Sequence, residues 1–198
     1  MKERDNFMLN VQALPMLTPE EYLEGERHSD IRHEFIDGQV YAMAGASERH
    51  NRITLNAALQ LRMRARGGSC GVFMSDMKLR IAESNCFYYP DVMLACDPED
   101  DEEYYKQRPC LLIEVSSPST AALDRREKWL AYKQIADLRY YLIISADQRR
   151  VEIHFRDEDG VWRARMLDDN EMFTVRCPGF EAGLSMDGLY EDVRLADQ

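Results

Sequence analysis

Two carboxylates in this sequence stand where a buried segment rarely carries a charge. Asp91 follows Pro90 within an otherwise apolar run, Tyr88 to Leu94, and Glu114 is the only charged residue between Cys110 and Ser116. A carboxylate inside a buried strand is costly unless it is paired or ligates a metal. The two lie 23 residues apart on consecutive strand-like segments, which are expected to neighbour each other. Converging carboxylates suit a hard cation such as Mg2+ or Mn2+, which takes oxygen ligands and keeps waters in its remaining positions. The Val115 backbone carbonyl could add a third oxygen. Each residue alone also reads as structure: Asp91 as a cap after Pro90, Glu114 as the partner of an arginine at the sheet end.

Asp124-x-x-x-Lys128 lies just beyond Glu114. Four residues apart, the two share one helical face, and two readings stay open. They form an i,i+4 pair worth a few tenths of a kcal/mol. Alternatively, Lys128 points back toward Glu114, where its ammonium could orient water and stabilise phosphate charge, with Asp124 holding it. Other chemistries fail on their motifs. Ser116 and Ser117 with His154 or His50 lack a GxSxG elbow and an orienting Asp, and no glycine-rich phosphate loop is present.

Several elements must position these groups. Thr18-Pro19-Glu20-Glu21 predicts a helix with Thr18 as N-cap and Pro19 at its first position, running to about Glu26. Asp37-Gly38 between HEFI and QVYAMA predicts a hairpin. Ser47 starts a long helix to about Arg66, with His50, Ile53, Ala57 and Leu61 on one face and Gly67-Gly68 ending it. The lone His50 on that face reads first as a hydrogen-bonded core residue. Three strand-like runs follow: GVFMS, MKLRIA (Lys78 at an alternating, outward position, a candidate phosphate contact) and CFYYPDVMLA. CLLIEVSS is an unbroken apolar run suited to a strand buried on both faces. Pro118-Ser119-Thr120 turns into a helix over about Ala122 to Ala136. RYYLIIS, the hairpin of VEIHF and VWRARML, and short strands with one short helix from about Met172 complete the chain. The order predicts one α/β domain over residues 1–198, with an irregular lead-in over 1–16. Its architecture is a single mixed sheet with helices on both faces.

Composition bounds the rest. A chain of 198 residues, 45% apolar and 31% charged, fits one globular domain with a substantial core. No run of 18 apolar residues exists, so no membrane helix is expected, and the charged N-terminus lacks a signal-peptide core, which predicts a cytoplasmic protein. The five cysteines are odd in number and widely spaced, without a CxxC pair, and read as reduced, mostly buried thiols. The net charge of −11 counts against tight non-specific DNA binding. Asp97 to Glu103 supplies six of the acids and reads as a solvated loop.

The phrases HEFIDGQVY, YYPDVML, LLIEVSSPST and DRREKWLAYKQIADLRYYLII resemble the restriction-endonuclease family of the PD-(D/E)xK nuclease superfamily, from Thr18 to Ile144 and more weakly to the end. Pro90-Asp91 matches the PD half of the motif. Glu114-Val115-Ser116 matches the other half, except that Ser116 stands where the superfamily lysine usually is. In this family a lysine on the following helix takes over, and Lys128 occupies that place. The resemblance implies an αβββαβ restriction-endonuclease-like core, a mixed central sheet flanked by helices and followed here by extra antiparallel C-terminal strands. It also implies Glu34 as a further active-site acid.

The expected function is therefore hydrolysis of DNA phosphodiesters by a Mg2+- or Mn2+-dependent endonuclease. Its catalytic residues are Asp91, Glu114, Lys128 and Glu34, and its metal site is formed by Asp91, Glu114 and Val115. A homodimer would put two sites on one duplex, with the strands after Met172 as its contact. The missing ExK lysine and the acidic balance favour a rival, a catalytically inactive nuclease-fold binding or accessory module of a mobile element or defence system.

Overall fold

Local capping sets the first element of the computed structural model, which describes residues 16–117 and 124–195. Helix α1 (Pro19–Arg27) begins at a capping box: the Glu21 amide donates to Thr18 Oγ1 (3.2 Å) and the Thr18 amide to Glu21 Oε2 (2.8 Å). β1 (His33–Ile36) and β2 (Gln39–Ala42) form the expected hairpin. Asp37 and Gly38 both have positive φ, 46° and 87°, as a tight two-residue turn between twisted strands requires. Helix α2 (Glu48–Ala65) starts where Ser47 Oγ accepts from the His50 amide (3.2 Å).

The strands that follow form two sheets rather than one. β3 (Gly71–Met74), β4 (Lys78–Ile81), β5 (Cys86–Tyr88), β6 (Val92–Ala95), β7 (Tyr105–Lys106), β8 (Pro109–Ser116), β9 (Tyr140–Ser145), β10 (Val151–Arg156) and β11 (Trp162–Met166) are shared between them. The central sheet has the order β11-β10-β9-β8-β6-β3, and the smaller one β2-β1-β5-β4-β7. The central sheet is mixed, because only β8 and β9 within it run parallel. The run CFYYPDVMLA, expected as one strand, divides at Tyr89-Pro90-Asp91. Proline offers no amide to a ladder, so β5 ends in one sheet and β6 begins in the other.

The central sheet is buried on both faces. Ile53, Ala57 and Leu61 of α2 pack against Val92, Leu94, Leu111, Ile113, Leu142 and Ile144. The opposite side, with Met93, Leu112, Tyr141 and Ile143, meets Leu79, Ile81 and Tyr88 of the smaller sheet and Tyr132 beyond β8. All eight residues of β8 are buried, as its unbroken apolar run suggests.

The helix after β8 ends earlier than expected, at Tyr132 rather than about Ala136. A π-helical turn, Asp124–Lys128, leads into one α-helical turn, α3 (Trp129–Tyr132). Beyond it the amides of Gln134, Ile135 and Leu138 bond three residues back, which tightens the chain into turns before β9. The 118–120 turn and the start of that helix lie outside the described residues. The tail forms a hairpin, β12 (Met172–Cys177) with β13 (Phe180–Ser185), and a short helix, α4 (Met186–Leu189). Tyr190 locks it to the sheet: its hydroxyl lies within 3.0 Å of the carbonyls of Ser145, Gln148 and Arg150 and accepts from the Arg150 amide. No helix among the described residues is long and apolar enough to cross a membrane.

Two sequence expectations need correction. The cysteines are buried but not all reduced: Cys70 is bonded to Cys96 and Cys110 to Cys177, leaving Cys86 as a buried thiol. The pairing of Gly71 with Ala95 across β3 and β6 brings Cys70 and Cys96 together, a proximity that a separation of 26 residues does not reveal. The acidic run 97–103 is not simply solvated. Buried Asp100 accepts from the amides of Gln107 and Arg108, and Lys106 Nζ donates to the carbonyls of Asp100 and Glu102.

Alkylation of the denatured, unreduced chain should therefore label one cysteine of five. Cys110→Ser should lower the unfolding free energy by about 2–5 kcal/mol in urea titrations. Five labelled thiols without reductant would refute both bonds.

Candidate active site

Strand register brings the two carboxylates to one place. Val92 of β6 pairs with Ile113 of β8, so Asp91, one residue before Val92, stands at the level of Glu114. The bend after Pro90 turns the Asp91 side chain to the strand end. There its Oδ2 accepts from the Val115 amide at 2.6 Å and lies 3.2 Å from His50 Nε2. His50, one turn into α2, also has Nδ1 3.5 Å from Thr54 Oγ1. Its place on the apolar face of α2 reads first as core; its partner is a candidate catalytic acid. Its own capping turn carries it there, because Ser47 fixes where α2 starts.

Glu114 faces the other way, into the layer between the two sheets. Its Oε1 accepts a hydrogen bond from the Tyr132 hydroxyl (2.6 Å) and lies 3.1 Å from Lys128 Nζ. Lys128 is also 3.2 Å from Glu34 Oε1, so one ammonium bridges two carboxylates. The three side chains are only 5–12% exposed. The Tyr88 ring lies 5.9 Å from the ammonium. Burial, and next the Glu114 carboxylate, push the Tyr132 phenol well above its ordinary pKa, so it is a proton donor across the whole neutral range. Tyr88 is shifted the same way, chiefly by burial.

The structure thus gathers Glu34, Glu114 and Lys128 into one cluster, with Asp91 and His50 beside it at the end of β8. The Asp124 side chain, expected to hold Lys128, lies outside the described residues. Tyr132 was not singled out from the sequence, although it sits four residues after Lys128 and so shares a helical face with it. Lys78 is not outward. It is buried on the α1 side of the smaller sheet, its ammonium 5.4 Å from the Tyr89 ring, and burial lowers its pKa although Glu26 opposes this. The parity expected for an exposed strand fails there because α1 covers that face. Glu26 is itself tied to the His33 amide (2.8 Å), the His33 ring (3.1 Å) and the Tyr89 hydroxyl (2.8 Å).

Among the described residues, no three His, Cys, Asp or Glu side chains converge as a metal cage. The donor set is instead two carboxylates, Asp91 and Glu114, with the Val115 carbonyl directly after Glu114 in sequence. In chemical type these are oxygen donors of the kind a hard divalent cation takes, with most of its shell left to water.

Comparison with known proteins identifies the family and the fold. The family model described as Uma2, putative restriction endonuclease, matches residues 19–188. An uncharacterized protein of Synechocystis sp. is 37% identical over 149 residues, covering 75% of this chain and 78% of that protein. A second from the same organism is 37% identical over 158 residues, covering 78% and 89%. A crystal structure of a putative nuclease belonging to DUF820, from Anabaena variabilis, superposes with a TM-score of 0.69. Its identity is 14%, over 88% of this chain and 97% of the other, a likeness of fold.

Removing Lys128 would leave two buried carboxylates facing each other. Lys128→Met is expected to cost about 3–5 kcal/mol of stability in urea titrations, with part recovered when Glu34→Gln is added. A single variant as stable as the wild type would disprove the bridge.

Five tyrosines, Tyr22, Tyr88, Tyr89, Tyr132 and Tyr190, have raised pKa values, that of Tyr190 pushed up to about 12, with burial the leading cause in each. A phenol whose folded pKa exceeds its unfolded value of about 10 contributes stability that is complete below pH 10 and lost as pH rises through the folded value. Absorbance at 295 nm should accordingly show these five of the ten tyrosines ionising only as the chain unfolds, above about pH 11. Free titration of all ten near pH 10 in the folded state would contradict it.

Proposed function

We propose that this chain, which belongs to the Uma2 family of putative restriction endonucleases, hydrolyses DNA phosphodiester bonds with the help of Mg2+ or Mn2+. The observation that carries the reading is the Glu34–Lys128–Glu114 bridge at the end of β8, with Asp91 at the same level on the neighbouring strand. A buried lysine between carboxylates supplies a cation where the motif's usual lysine is replaced by Ser116.

The cation, held by Asp91, Glu114 and the Val115 carbonyl, would supply neutralising charge for the scissile phosphate and a more acidic water. The chain's own residues do the rest. His50 and the Val115 amide hold the Asp91 carboxylate in one orientation. Tyr132 does the same for Glu114 by donating a hydrogen bond from its hydroxyl. Glu34, 3.2 Å from Lys128, holds its ammonium beside Glu114, where it can orient water and stabilise phosphate oxygen charge. A site preorganised by such outer contacts loses rate when they are removed, even without loss of a ligand.

A second reading has one observation in its favour: with Ser116 at the motif position, the fold can persist as a binding module without cleavage. Metal affinity separates the two, since a nuclease must bind Mn2+ and an inactive module need not.

Supercoiled plasmid and single-stranded DNA incubated with Mg2+ or Mn2+ should be cut by the wild type. Asp91→Ala and Glu114→Ala should each lower the rate by at least about a hundredfold, and Lys128→Met by about 100- to 1,000-fold. Full activity in either carboxylate variant would sink the site assignment. No cutting by any chain, with no Mn2+ heat in calorimetry, would favour the binding module.

A further inference from the structure

Strand register places a second carboxylate in the same row as Glu114. Glu114 of β8 pairs with Ile143 of β9, and Ile143 pairs with Glu152 of β10. The three lie level across neighbouring strands and point to one face of the central sheet, with Glu152 and Glu114 about 10 Å apart. Each carboxylate meets a cation from the turn after β8. Lys128 Nζ lies 3.1 Å from Glu114 Oε1, and Arg125 Nε donates to Glu152 Oε2 at 3.0 Å. The next row joins in. His154, level with Tyr141, has Nε2 2.8 Å from the other Glu152 oxygen. Trp129 lies over both rings, with centroids 4.5 Å from His154 and 5.9 Å from Tyr141.

The segment that makes these contacts is short. The π turn and α3 contribute five and four residues, and helical pieces of that length do not hold an orientation through their own hydrogen bonds. Contacts with the sheet must set it. Arg126, Glu127 and Leu130 are exposed, while two adjacent stripes face the sheet. Lys128 and Tyr132 form the stripe that meets Glu114, and Arg125 and Trp129 the one that meets Glu152 and His154. The stripes differ in stiffness. A lysine stem is flexible and reaches one point from several backbone positions, whereas a planar guanidinium and an indole ring admit few. Burial pushes the Glu152 carboxyl up, but Arg125 and His154 outweigh it and hold it below its ordinary pKa, so Glu152 is ionised at neutral pH.

We propose that Glu152 is a positioning residue for the candidate active site: by holding Arg125, and His154 beside Trp129, it fixes the turn from which Lys128 reaches Glu114. The inference rests on the reading of Lys128 given above. Glu152 acts through the turn, since its own oxygens are taken by Arg125 and His154. Release of this clamp lets the turn roll toward solvent and shifts the start of the Lys128 stem. A displacement of about 1 Å in a catalytic group is enough to cost about 100-fold in rate.

Reductive methylation of the folded full chain, read lysine by lysine by mass spectrometry, tests the placement of Lys128 without reference to cleavage. Glu152→Gln should label Lys128 several-fold faster than the wild type and leave the rates of buried Lys78 and Lys106 unchanged. Arg125→Gln should do the same, and it serves alone if Glu152→Gln does not fold, because the Arg125 side chain is 35% exposed. Glu152→Asp, which keeps the charge, should restore part of the protection. In plasmid cleavage Glu152→Gln and Arg125→Gln should lower kcat about 10- to 100-fold with KM within about twofold, and Glu152→Asp should recover part of the rate. Lys128 labelling unchanged in both Gln variants would overturn the proposal. Labelling of Lys78 and Lys106 that rises in step with Lys128 would do so too, because it reports general loosening. A full kcat in Glu152→Gln where Lys128→Met is slow would have the same force. If the wild type does not cut, the nuclease reading fails, and labelling alone decides whether the clamp places Lys128.

Discussion

A lysine ammonium held between two carboxylates in the layer between two sheets constrains most of what surrounds it. Each of the three groups would be expensive to bury alone, and removing the lysine leaves two carboxylates facing each other in a poorly solvated space. Lys128 can bridge Glu34 and Glu114 only if three separate elements meet: the β1 strand of the smaller sheet, the last residues of β8, and the helical turn that follows. The hairpin, the buried β8 strand and the short π turn are thus positioned relative to one another by the same three charges that the proposed chemistry uses. Tyr88 and Tyr132 close the space around them, one by its ring and the other by a hydrogen bond.

Pro90 is the second constraint. By interrupting the ladder it lets one stretch of chain serve two sheets, and the gap between those sheets is where Glu34 and Glu114 face each other. A continuous strand through residues 86–95 would keep its alternation and hold Asp91 within the ladder, away from the Val115 amide. The bend at Pro90 frees the Asp91 carboxylate to reach the end of β8, where α2 presents His50. The proline before the acid is therefore a structural requirement, not only a spelling in a motif.

Much of this was legible in residue types. Thr18 with Glu21, Asp37-Gly38 and Ser47 each announce a local conformation that the chain adopts, because caps and tight turns depend on a few adjacent residues. Asp91 and Glu114 stood out because charge in an apolar run demands a partner, and Lys128 because it follows Glu114, four residues after Asp124, where the family resemblance implies a lysine. What stayed hidden is non-local. The division into two sheets depends on which strands pair, the disulfides on which pairs bring cysteines together, and the burial of Lys78 on α1 crossing a face that alternation alone would leave to solvent. Tyr132 escaped notice because a tyrosine in an amphipathic turn looks like core, and only the third dimension shows its hydroxyl on Glu114.

The net charge of −11 looks unfavourable for a phosphate substrate until the acids are placed along the strands. The densest acidic run, 97–103, follows the end of β6 and precedes the start of β8, whereas Asp91 precedes β6 and Glu114 lies near the end of β8. The eight residues of β8 span about 26 Å, several times the roughly 8 Å over which charge is screened at physiological salt. Three of those acids also have local partners, Asp97 and Glu99 the Arg108 guanidinium and Asp100 the Gln107 and Arg108 amides. At the other end of the same strand Lys128 stands between Glu34 and Glu114, and a divalent cation there would cancel the remaining negative charge of Asp91, Glu114 and Glu34. The field a phosphate meets is thus set by the site end of β8, which is why the bulk charge of the chain is a poor guide to what that end can bind.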